Sequence, residues 1–400
     1  MQNIVENSKR LYRLKLNQTL PEYKRYLYEE IAVQKSKIVG LYGSRGVGKT
    51  TLLLQVLKEL DYPENQKLYI SCDHPIFQEI SLFDFVDEFS KKGGEVIVID
   101  EIHQANDFQK NIKLIYDFLN IKVFFSGSSA VEITNADFAR RYAMYHLPIL
   151  SLREYLEFSQ NISLKSYRLE DLLQNHENIA FEIFESLKDK KILKYFNDFL
   201  SVGVYPFYFE DETKYIDRIN ETINTVLHVD LTKVTSIQAD KIDSLKKLLL
   251  TICVSKPLEI SIDELSKTVG ITKPTLYKYI EYLSRAELVT HVIHEAKRFH
   301  ASRKPDKLYL SNTNIFNALC INSDIGTLRE AYFVSMLKQH TMHYTDIGDF
   351  IIDEKYIFEI GGKNKSFKQI KDLENSYIIA DDIEVGHGNK ISLWMMGFLY

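Results

Sequence analysis

Residues 43–51 read GSRGVGKTT and follow an apolar run, KIVGLY. The stretch has the spacing G-x-x-x-x-G-K-[ST] of a phosphate-binding loop, in which glycines let backbone N–H groups surround phosphate oxygens. In such a loop Lys49 reaches the β- and γ-phosphates, and the Thr50 hydroxyl binds Mg²⁺. The alternative is a glycine-rich turn between a strand and a helix. The predicted nucleotide contacts are Gly43, Ser44, Arg45, Gly46, Val47, Gly48, Lys49, Thr50 and Thr51.

A second motif, EVIVIDEIHQ at 95–104, ends an apolar strand in two carboxylates. Asp100, at the carboxyl end of that strand, is placed to hold Mg²⁺ through a water, and Glu101 to polarise the attacking water as a general base. Acidic residues are also favoured at helix N-termini for electrostatic reasons alone. Because a phosphate-binding loop precedes them, we interpret the two acids as the catalytic part of a nucleotide hydrolase.

Short β-rich runs alternate with helical stretches from residue 37 to residue 148. This alternation predicts an α/β fold, with a parallel sheet covered by helices on both faces. One run separates the loop strand from the strand of Asp100, a layout that resembles the additional-strand class of ATPases with a catalytic glutamate. The predicted strands cover 37–42, 67–72, 95–100, 121–126 and 144–148.

A third motif, VFFSGSSA, ends another apolar strand in small polar residues. Ser126 or Ser128 is placed there to sense the γ-phosphate or the attacking water, although a serine-rich turn explains each serine almost as well. Downstream, Arg140 and Arg141 offer an arginine finger, which stabilises the charge that develops in phosphoryl transfer. An arginine pair on the surface with no role in chemistry is the alternative.

Composition limits the classes of function. The chain has 400 residues, too many for one compact core, and its net charge of -5 excludes a general polycation. No apolar run approaches the roughly 18 residues of a membrane span. Three widely separated cysteines form no metal motif, and their odd number argues against a disulfide framework. We therefore expect a cytoplasmic protein in a reducing compartment.

Residues 241–312 have the pattern of a winged helix. Ser261 and Glu264 have the spacing of a capping box at the second of three predicted helices, and Thr272 caps the third. The exposed face of that third helix would present a few polar side chains to a DNA groove. These predicted DNA contacts are Lys273, Thr275 and Lys278.

The predicted wing that follows is basic. Between residues 290 and 307, five lysines and arginines stand against Glu295 and Asp306, a local charge of 5 − 2 = +3 that suits phosphate contact. A packing or oligomerisation module is an alternative of nearly equal weight. The basic residues are Lys297, Arg298, Arg303, Lys304 and Lys307.

Several segments, in chain order, resemble prokaryotic AAA-type ATPases related to the STAND class and to archaeal-type ATPases. They are GLYGSRGVGKTTLLLQ, VIVIDEIH, FFSGSSA, FARRY, LSLREYLEF and KLYLSNTNI. The resemblance covers almost the whole chain and implies ATP and Mg²⁺ as ligands. It places the family's arginine after the sensor strand at Arg141, because Arg140 occupies a position that is usually glycine. In this family a winged helix and a restriction-endonuclease-like domain follow the ATPase core.

The C-terminal pattern, α-β-β-β-α-β, is similar to that of restriction-endonuclease-like folds, with SFKQIKDL as the second helix. The nuclease motif of such folds, an Asp followed by E-x-K, matches Asp349 and Glu359, and Glu330 corresponds to the family's helix glutamate. The lysine position is occupied by Gly361, and Lys363 lies two residues further on. We therefore expect a degenerate domain that does not cleave nucleic acid, with an active nuclease as the alternative.

The sequence thus predicts four segments. They are a P-loop ATPase core with an N-terminal helix (1–150), a helical lid-like subdomain (151–240), a winged helix (241–312) and a restriction-endonuclease-like domain (313–400). The leading hypothesis is Mg²⁺-dependent ATP hydrolysis used as a conformational switch that acts on DNA or a regulatory assembly. An ATP-gated DNA nuclease and a nucleotide-stabilised interaction module without turnover are the alternatives. A homo-oligomer remains open.

Overall fold

A computed structural model describes residues 1–17, 19–128, 141–189, 191–234, 241–253, 261–297, 307–371 and 373–400. The chain divides into two compact units, Met1–Ile149 (unit 1) and Leu150–Tyr400 (unit 2). Across these ranges, no helix combines the length and the apolar character needed to span a bilayer.

Unit 1 is built around a parallel sheet. Its strands are β1 (Ile38–Gly43), β2 (Lys67–Ser71), β3 (Val96–Asp100), β4 (Lys122–Ser128) and β5 (Ala143–His146). Its helices are α1 (Gln2–Leu16), α2 (Tyr28–Ala32), α3 (Lys49–Glu59), α4 (Ile76–Glu79), α5 (Leu82–Lys91) and α6 (Phe108–Phe118). The strand order is β2-β3-β4-β1-β5, and every pairing is parallel. The predicted α/β fold with a parallel sheet is confirmed.

The register of this sheet brings the three motif strands to one edge. All five residues of β3 are buried, as expected for a parallel strand covered on both faces. Strand β4 lies between β1 and β3, and Gly43 at the end of β1 is in register with Ser128. Because the strands run in the same direction, the phosphate-loop residues, Asp100 and Ser126 lie near the same carboxyl-terminal edge.

Unit 2 combines many helices with a hairpin and a second sheet. Its helices are α7 (Leu152–Gln160), α8 (Leu169–Ser186), α9 (Ile192–Ser201), α10 (Tyr215–Thr225), α11 (Leu231–Val234), α12 (Ile242–Cys253), α13 (Ile262–Val269), α14 (Lys273–Arg285), α15 (Thr313–Leu319) and α16 (Ile325–Met336). Its strands are β6 (Val289–Val292), β7 (Lys307–Leu310), β8 (Met342–Tyr344), β9 (Phe350–Ile352), β10 (Tyr356–Gly361), β11 (Ser376–Ala380) and β12 (Lys390–Ser392).

Helices α12, α13 and α14 form where the sequence predicts three helices. Ser261 and Glu264 make the reciprocal bonds of a capping box at α13, and Gly270 ends that helix with φ 80, the left-handed conformation that glycine adopts without strain. Thr272 accepts a hydrogen bond from the backbone of Thr275 at the start of α14. Strands β6 and β7 then pair as an antiparallel hairpin.

The hairpin is joined to the C-terminal sheet, whose strand order is β12-β11-β10-β9-β8. The backbone N–H of Tyr344 on β8 donates to the carbonyl of Ile293, at 3.1 Å. Helix α16 covers one face of this sheet, where Phe333 contacts the rings of Phe350 and Phe358. Hairpin, helix and sheet are therefore in direct contact within unit 2.

The predicted helix SFKQIKDL is wrong. Among its described residues, 366–371 and 373, Phe367–Gln369 form a single 3₁₀ turn between the parallel strands β10 and β11. Ile370 is buried with Ile378, and Phe367 packs against that cluster. Phe367 and Ile370 thus reach the core of the sheet from a short turn, and the segment forms an irregular connection in place of the predicted helix.

The prediction against a disulfide is also wrong. Cys253 at the end of α12 and Cys320, just after α15, form a disulfide with 5.4 Å between their Cα atoms. They are 67 positions apart in the sequence, so their proximity depends on the contact between α12 and α15. Cys72 is buried and free.

Candidate functional site

The loop at 43–51 connects β1 to α3 through conformations that require glycine. Gly46 and Gly48 have φ of 88 and 93, and a Cβ added at Gly43 would lie 2.2 Å from the carbonyl oxygen of Leu147. Gly48 is the N-cap of α3, so the N–H groups of the first helical turn face the loop. Lys49 is buried, and its ammonium donates to the carbonyls of Gly43 and Ser44 at 2.9 Å.

Arg25 supports this loop from the N-terminal segment, which the sequence did not assign to the site. Its buried guanidinium donates to the carbonyl of Val47, in the loop, and to those of Pro148 and Ile149, at 2.9 and 3.2 Å. The loop is thereby tied to the segment after β5. Nothing local in the sequence marks Arg25, since its partners are 22 to 124 residues away.

Asp100, at the end of β3, accepts hydrogen bonds from side chains of β2, β4 and the start of α3. The Thr50 hydroxyl and the Tyr69 hydroxyl both donate to its Oδ2 atom at 2.8 Å, and the Ser126 hydroxyl donates to its Oδ1 atom. Asp100 is 4% exposed, so these donors replace water around a buried carboxylate. The oxygens of Thr50 and Asp100 are the hard ligands that Mg²⁺ prefers, and they are already adjacent. No motif in the sequence marks Tyr69 as part of the site.

Glu101 has the environment of a carboxylate whose proton affinity is increased. Burial raises its pKa from the ordinary 4.5 to about 7, and the charge of Asp100 acts in the same direction, whereas Lys49 and Arg45 oppose the shift. Its backbone is left-handed, with φ 49. Within the described chain its Oε2 atom is buried without a hydrogen bond, 3.3 Å from Nδ1 of His103. A buried, unbonded carboxylate oxygen beside the phosphate loop is suited to accept a proton.

Ser126 lies at the site but faces the acids. Its hydroxyl donates to Asp100 and accepts from the backbone N–H of Glu101 at 3.0 Å, and the residue is fully buried. Its one proton is therefore committed to Asp100, which favours a supporting role over the predicted sensing of a phosphate. Ser128 ends β4, and its side chain lies outside the described part of the chain.

Arg141 is not near the loop within one chain. Its Nε atom lies 3.6 Å from Asp117 at the end of α6. Arg141 precedes β5, whose Ala143 is in register with Val39 near the start of β1. At roughly 3.3 Å per residue, the four residues from Val39 to Gly43 place Ala143 about 13 Å along the sheet from Gly43. Arg141 precedes Ala143 and is held by Asp117, which comes five residues before β4 begins, on the side of the sheet away from the loop. The structure therefore gives no support to an arginine finger in cis, and Arg140 falls outside the described residues.

The predicted DNA contacts on α14 lie on its first two turns. Lys273 and Lys278 are exposed, and Thr275 is half-exposed. Lys273 forms an ion pair with Asp263 on α13, and Thr275 is hydrogen-bonded to Thr272. In the wing, the side chain of Lys297 and all of Arg298, Arg303 and Lys304 lie outside the described residues.

The three predicted C-terminal acids, Glu330, Asp349 and Glu359, lie near lysines other than the predicted Lys363. Lys363 forms an ion pair with Asp382 at 3.0 Å, and Glu359 instead pairs with Lys365. A Cβ at Gly361 would lie 2.7 Å from the Lys365 side chain, so glycine lets Lys365 cross this position. Glu330 and Asp349 face Lys307, as described below. In the described residues, no group of three or more His, Cys, Asp or Glu side chains is placed to hold a metal.

Comparison with known proteins gives two family matches. Residues 35–156 match an AAA domain, and residues 193–327 match a domain of unknown function. An uncharacterized protein of Methanocaldococcus jannaschii is 28% identical over an alignment 408 residues long, which covers 91% of this chain and 85% of the relative.

Solved structures give weaker likenesses. A Walker-type ATPase of Pyrococcus abyssi is 13% identical, with a TM-score of 0.43 over 76% of this chain and 99% of that one. DnaA of Aquifex aeolicus, bound to AMPPCP, is 15% identical, with a TM-score of 0.26 over 70% of this chain and 90% of that one. Such scores are too low to establish a shared overall fold. The AAA match and the five-stranded parallel sheet support an AAA-type P-loop core in this chain.

Proposed function

We propose that the protein is a Mg²⁺-dependent ATPase whose site is formed by residues 43–51, Asp100 and Glu101. The observation that carries the proposal is the 2.8 Å hydrogen bond between Thr50 and Asp100. It joins the phosphate loop to the acidic strand, so that a cation-binding pair lies beside Lys49 and Glu101. Neither motif alone supports hydrolysis to the same extent.

Each residue then has a defined task. Lys49 exchanges its two loop carbonyls for phosphate oxygens, and the N–H groups at the start of α3 bind the remaining phosphate charge. Thr50 and Asp100 would hold Mg²⁺, which supplies positive charge to the β- and γ-phosphate oxygens when bound. Glu101 accepts the proton of the attacking water, for which its carboxylate has to be ionised. Ser126 and Tyr69 keep Asp100 in place.

The test is phosphate release by Glu101→Gln. Gln has nearly the same shape but cannot accept the proton, so we expect ATP binding to persist and the turnover rate to fall by roughly a hundredfold or more. Glu95→Gln is the matched control, because Glu95 is exposed at the other end of β3. Phosphate release by Glu101→Gln at the wild-type rate would remove Glu101 from the mechanism.

We further propose that hydrolysis serves as a conformational switch for unit 2, acting on DNA or a regulatory assembly. The support for DNA is limited to the exposed Lys273 and Lys278 on α14 and to the basic composition of residues 297–307. The ATPase rate with duplex and single-stranded DNA, measured across salt concentrations, tests this. Stimulation that fades with salt supports DNA as the effector, and an unchanged rate at low salt favours a protein partner.

An ATP-gated nuclease is a weaker alternative. Its support is Lys365, which brings an ammonium to Glu359 where Gly361 provides none. The position of Lys307 between the other two acids argues against it. Mg²⁺-dependent nicking that is lost in Asp349→Ala would favour it. If Glu101→Gln folded and oligomerised as the wild type does, that result would instead favour a nucleotide-stabilised module without turnover.

A further inference from the structure

Lys307 is a buried cation among the C-terminal acids. It is the first residue of β7 and is 3% exposed. Its Nζ atom lies 3.2 Å from Oε2 of Glu330 on α16 and 3.9 Å from Oδ1 of Asp349, which precedes β9. A lysine this deeply buried is stable as a cation only where carboxylates compensate for its lost hydration.

The surroundings of the ammonium complete this compensation. The rings of Phe350 and Tyr344 lie 4.8 and 5.6 Å from Nζ, within the range of cation–π attraction. The Tyr309 hydroxyl donates to Oε2 of Glu330 at 2.5 Å, and the backbone N–H of Ile360 donates to Oδ2 of Asp349 at 2.7 Å. One oxygen of each carboxylate thus accepts a hydrogen bond from a donor of this chain.

The third acid, Glu359, is held in a similar way. Its side chain is 3% exposed and pairs with Lys365, while its Oε2 atom is buried without a hydrogen bond in the described chain. Burial raises the pKa of Glu359, and the nearby charge of Asp349 adds to the shift. Lys307 acts against that shift, so its charge reaches all three acids.

We propose that the ammonium of Lys307 is the resident cation of Glu330 and Asp349 and occupies the place where a divalent metal would bind them. A divalent ion has to approach carboxylate oxygens to roughly 2.0–2.6 Å. In the space between Glu330 and Asp349 it would collide with Nζ and repel its charge. The acids therefore fasten β7 to α16 and to the C-terminal sheet. This inference concerns unit 2 alone and does not depend on ATP hydrolysis.

The β6–β7 hairpin has other attachments to the C-terminal sheet, so a variant of Lys307 can keep the fold. Tyr344 bonds to Ile293, and the Thr345 hydroxyl donates to Glu295 at 2.6 Å. These contacts do not involve Lys307. Substitution of Lys307 should therefore weaken the junction without detaching the hairpin, and it should leave two carboxylates facing a space that a metal can enter.

The experiment is Mn²⁺ binding followed by electron paramagnetic resonance on the full chain without nucleotide. All proteins carry Asp100→Asn, which removes the carboxylate of the metal site proposed for unit 1. Lys307→Ala is compared with the parent and with Lys363→Ala, a control that removes a lysine from an exposed ion pair. We expect Lys307→Ala to gain one bound Mn²⁺ per chain, at least roughly tenfold tighter than any site of the parent. Adding Asp349→Asn to Lys307→Ala should abolish the gain.

Four results would overturn the inference. One is Mn²⁺ binding by the parent that depends on Asp349. Another is Mg²⁺-dependent nucleic-acid cleavage by the parent that is lost in Lys307→Ala, since Lys307 would then belong to an active site. The third is a folded Lys307→Ala that binds no Mn²⁺. Lys307→Gln, which keeps an amide donor for Glu330, repeats the test if the alanine variant does not fold. Failure of both variants to fold even with Mn²⁺ would also contradict it.

Discussion

Glu101→Gln should stabilise the nucleotide-free protein, although we expect it to slow turnover. The folded state raises the pKa of Glu101 from 4.5 to about 7, mainly by burial, so it binds the carboxyl proton more tightly than the unfolded chain does. The free energy of unfolding therefore falls as pH rises from 4.5 to 7 and stays constant above that range. Gln carries no ionisable proton and escapes this cost.

The pKa values set the size of the effect. A shift of one pKa unit corresponds to about 1.4 kcal/mol, so the full shift amounts to about 3 kcal/mol. We expect Glu101→Gln to exceed the wild type by about 3 kcal/mol at pH 8 and by only about 1 kcal/mol at pH 5.5. Ionised Glu101 is thus a destabilising feature that the nucleotide site retains.

Hydrogen exchange of the β1 amides, measured by mass spectrometry, reports this difference. Wild type and variant are compared at the same pH, so the intrinsic pH dependence of exchange cancels. Glu95→Gln should show no change at either pH, because that side chain is exposed. Equal protection of Glu101→Gln and wild type at pH 8, or a difference that grows toward low pH, would refute the assigned environment of Glu101.

Three further predictions address other parts of the molecule. Tyr69→Phe removes a 2.8 Å hydrogen bond to Asp100 and should raise the Mg²⁺ concentration needed for half-maximal ATP turnover by roughly ten- to a hundredfold, with Tyr62→Phe as control; an unchanged Mg²⁺ dependence would contradict the supporting role. Arg141→Ala should hydrolyse ATP at close to the wild-type rate at high dilution, and a loss that is repaired by mixing with Lys49→Ala would reveal a finger acting between subunits. Denatured, unreduced protein should titrate with one free thiol, Cys72, and Cys320→Ser should lower stability by up to about 4 kcal/mol for a loop of this length; three titratable thiols would contradict the disulfide.

The sheet and its motifs could be predicted because their signals are local. Apolar runs of five or six residues, each ending in glycine, an acid or serine, indicate strands and site residues without knowledge of the fold. Asp100 and Thr50 are fifty residues apart, but a known motif order brings them together. The helix caps at Ser261 and Thr272 are equally local, since each involves a partner three residues away.

Long-range partners carried no such signal. Tyr69 reaches Asp100 only because β2 pairs with β3 in the register that sets Ser71 beside Asp100, and sequence pattern does not determine that register. Arg25 and the disulfide depend on contacts between distant segments in the same way.

Whether Lys363 or Lys365 pairs with Glu359 depends on a turn in the backbone. After Gly361 the chain turns, with the backbone N–H of Lys365 donating to the carbonyl of Gly362, so that Lys365 points back to Glu359 while Lys363 meets Asp382. Spacing in the sequence favours Lys363, which is nearer to Glu359, but the turn brings Lys365 to Glu359 instead.

The central claim is that the chain binds ATP at residues 43–51 and cleaves it with Glu101. The most direct measurement is a single turnover with radiolabelled ATP, in which protein-bound nucleotide is recovered after a quench and separated into ATP and ADP. We expect ADP and phosphate from the wild type, bound but intact ATP from Glu101→Gln, and no bound nucleotide from Lys49→Ala. Intact ATP on the wild type with Mg²⁺ present, or ADP formed equally fast by Glu101→Gln, would contradict it.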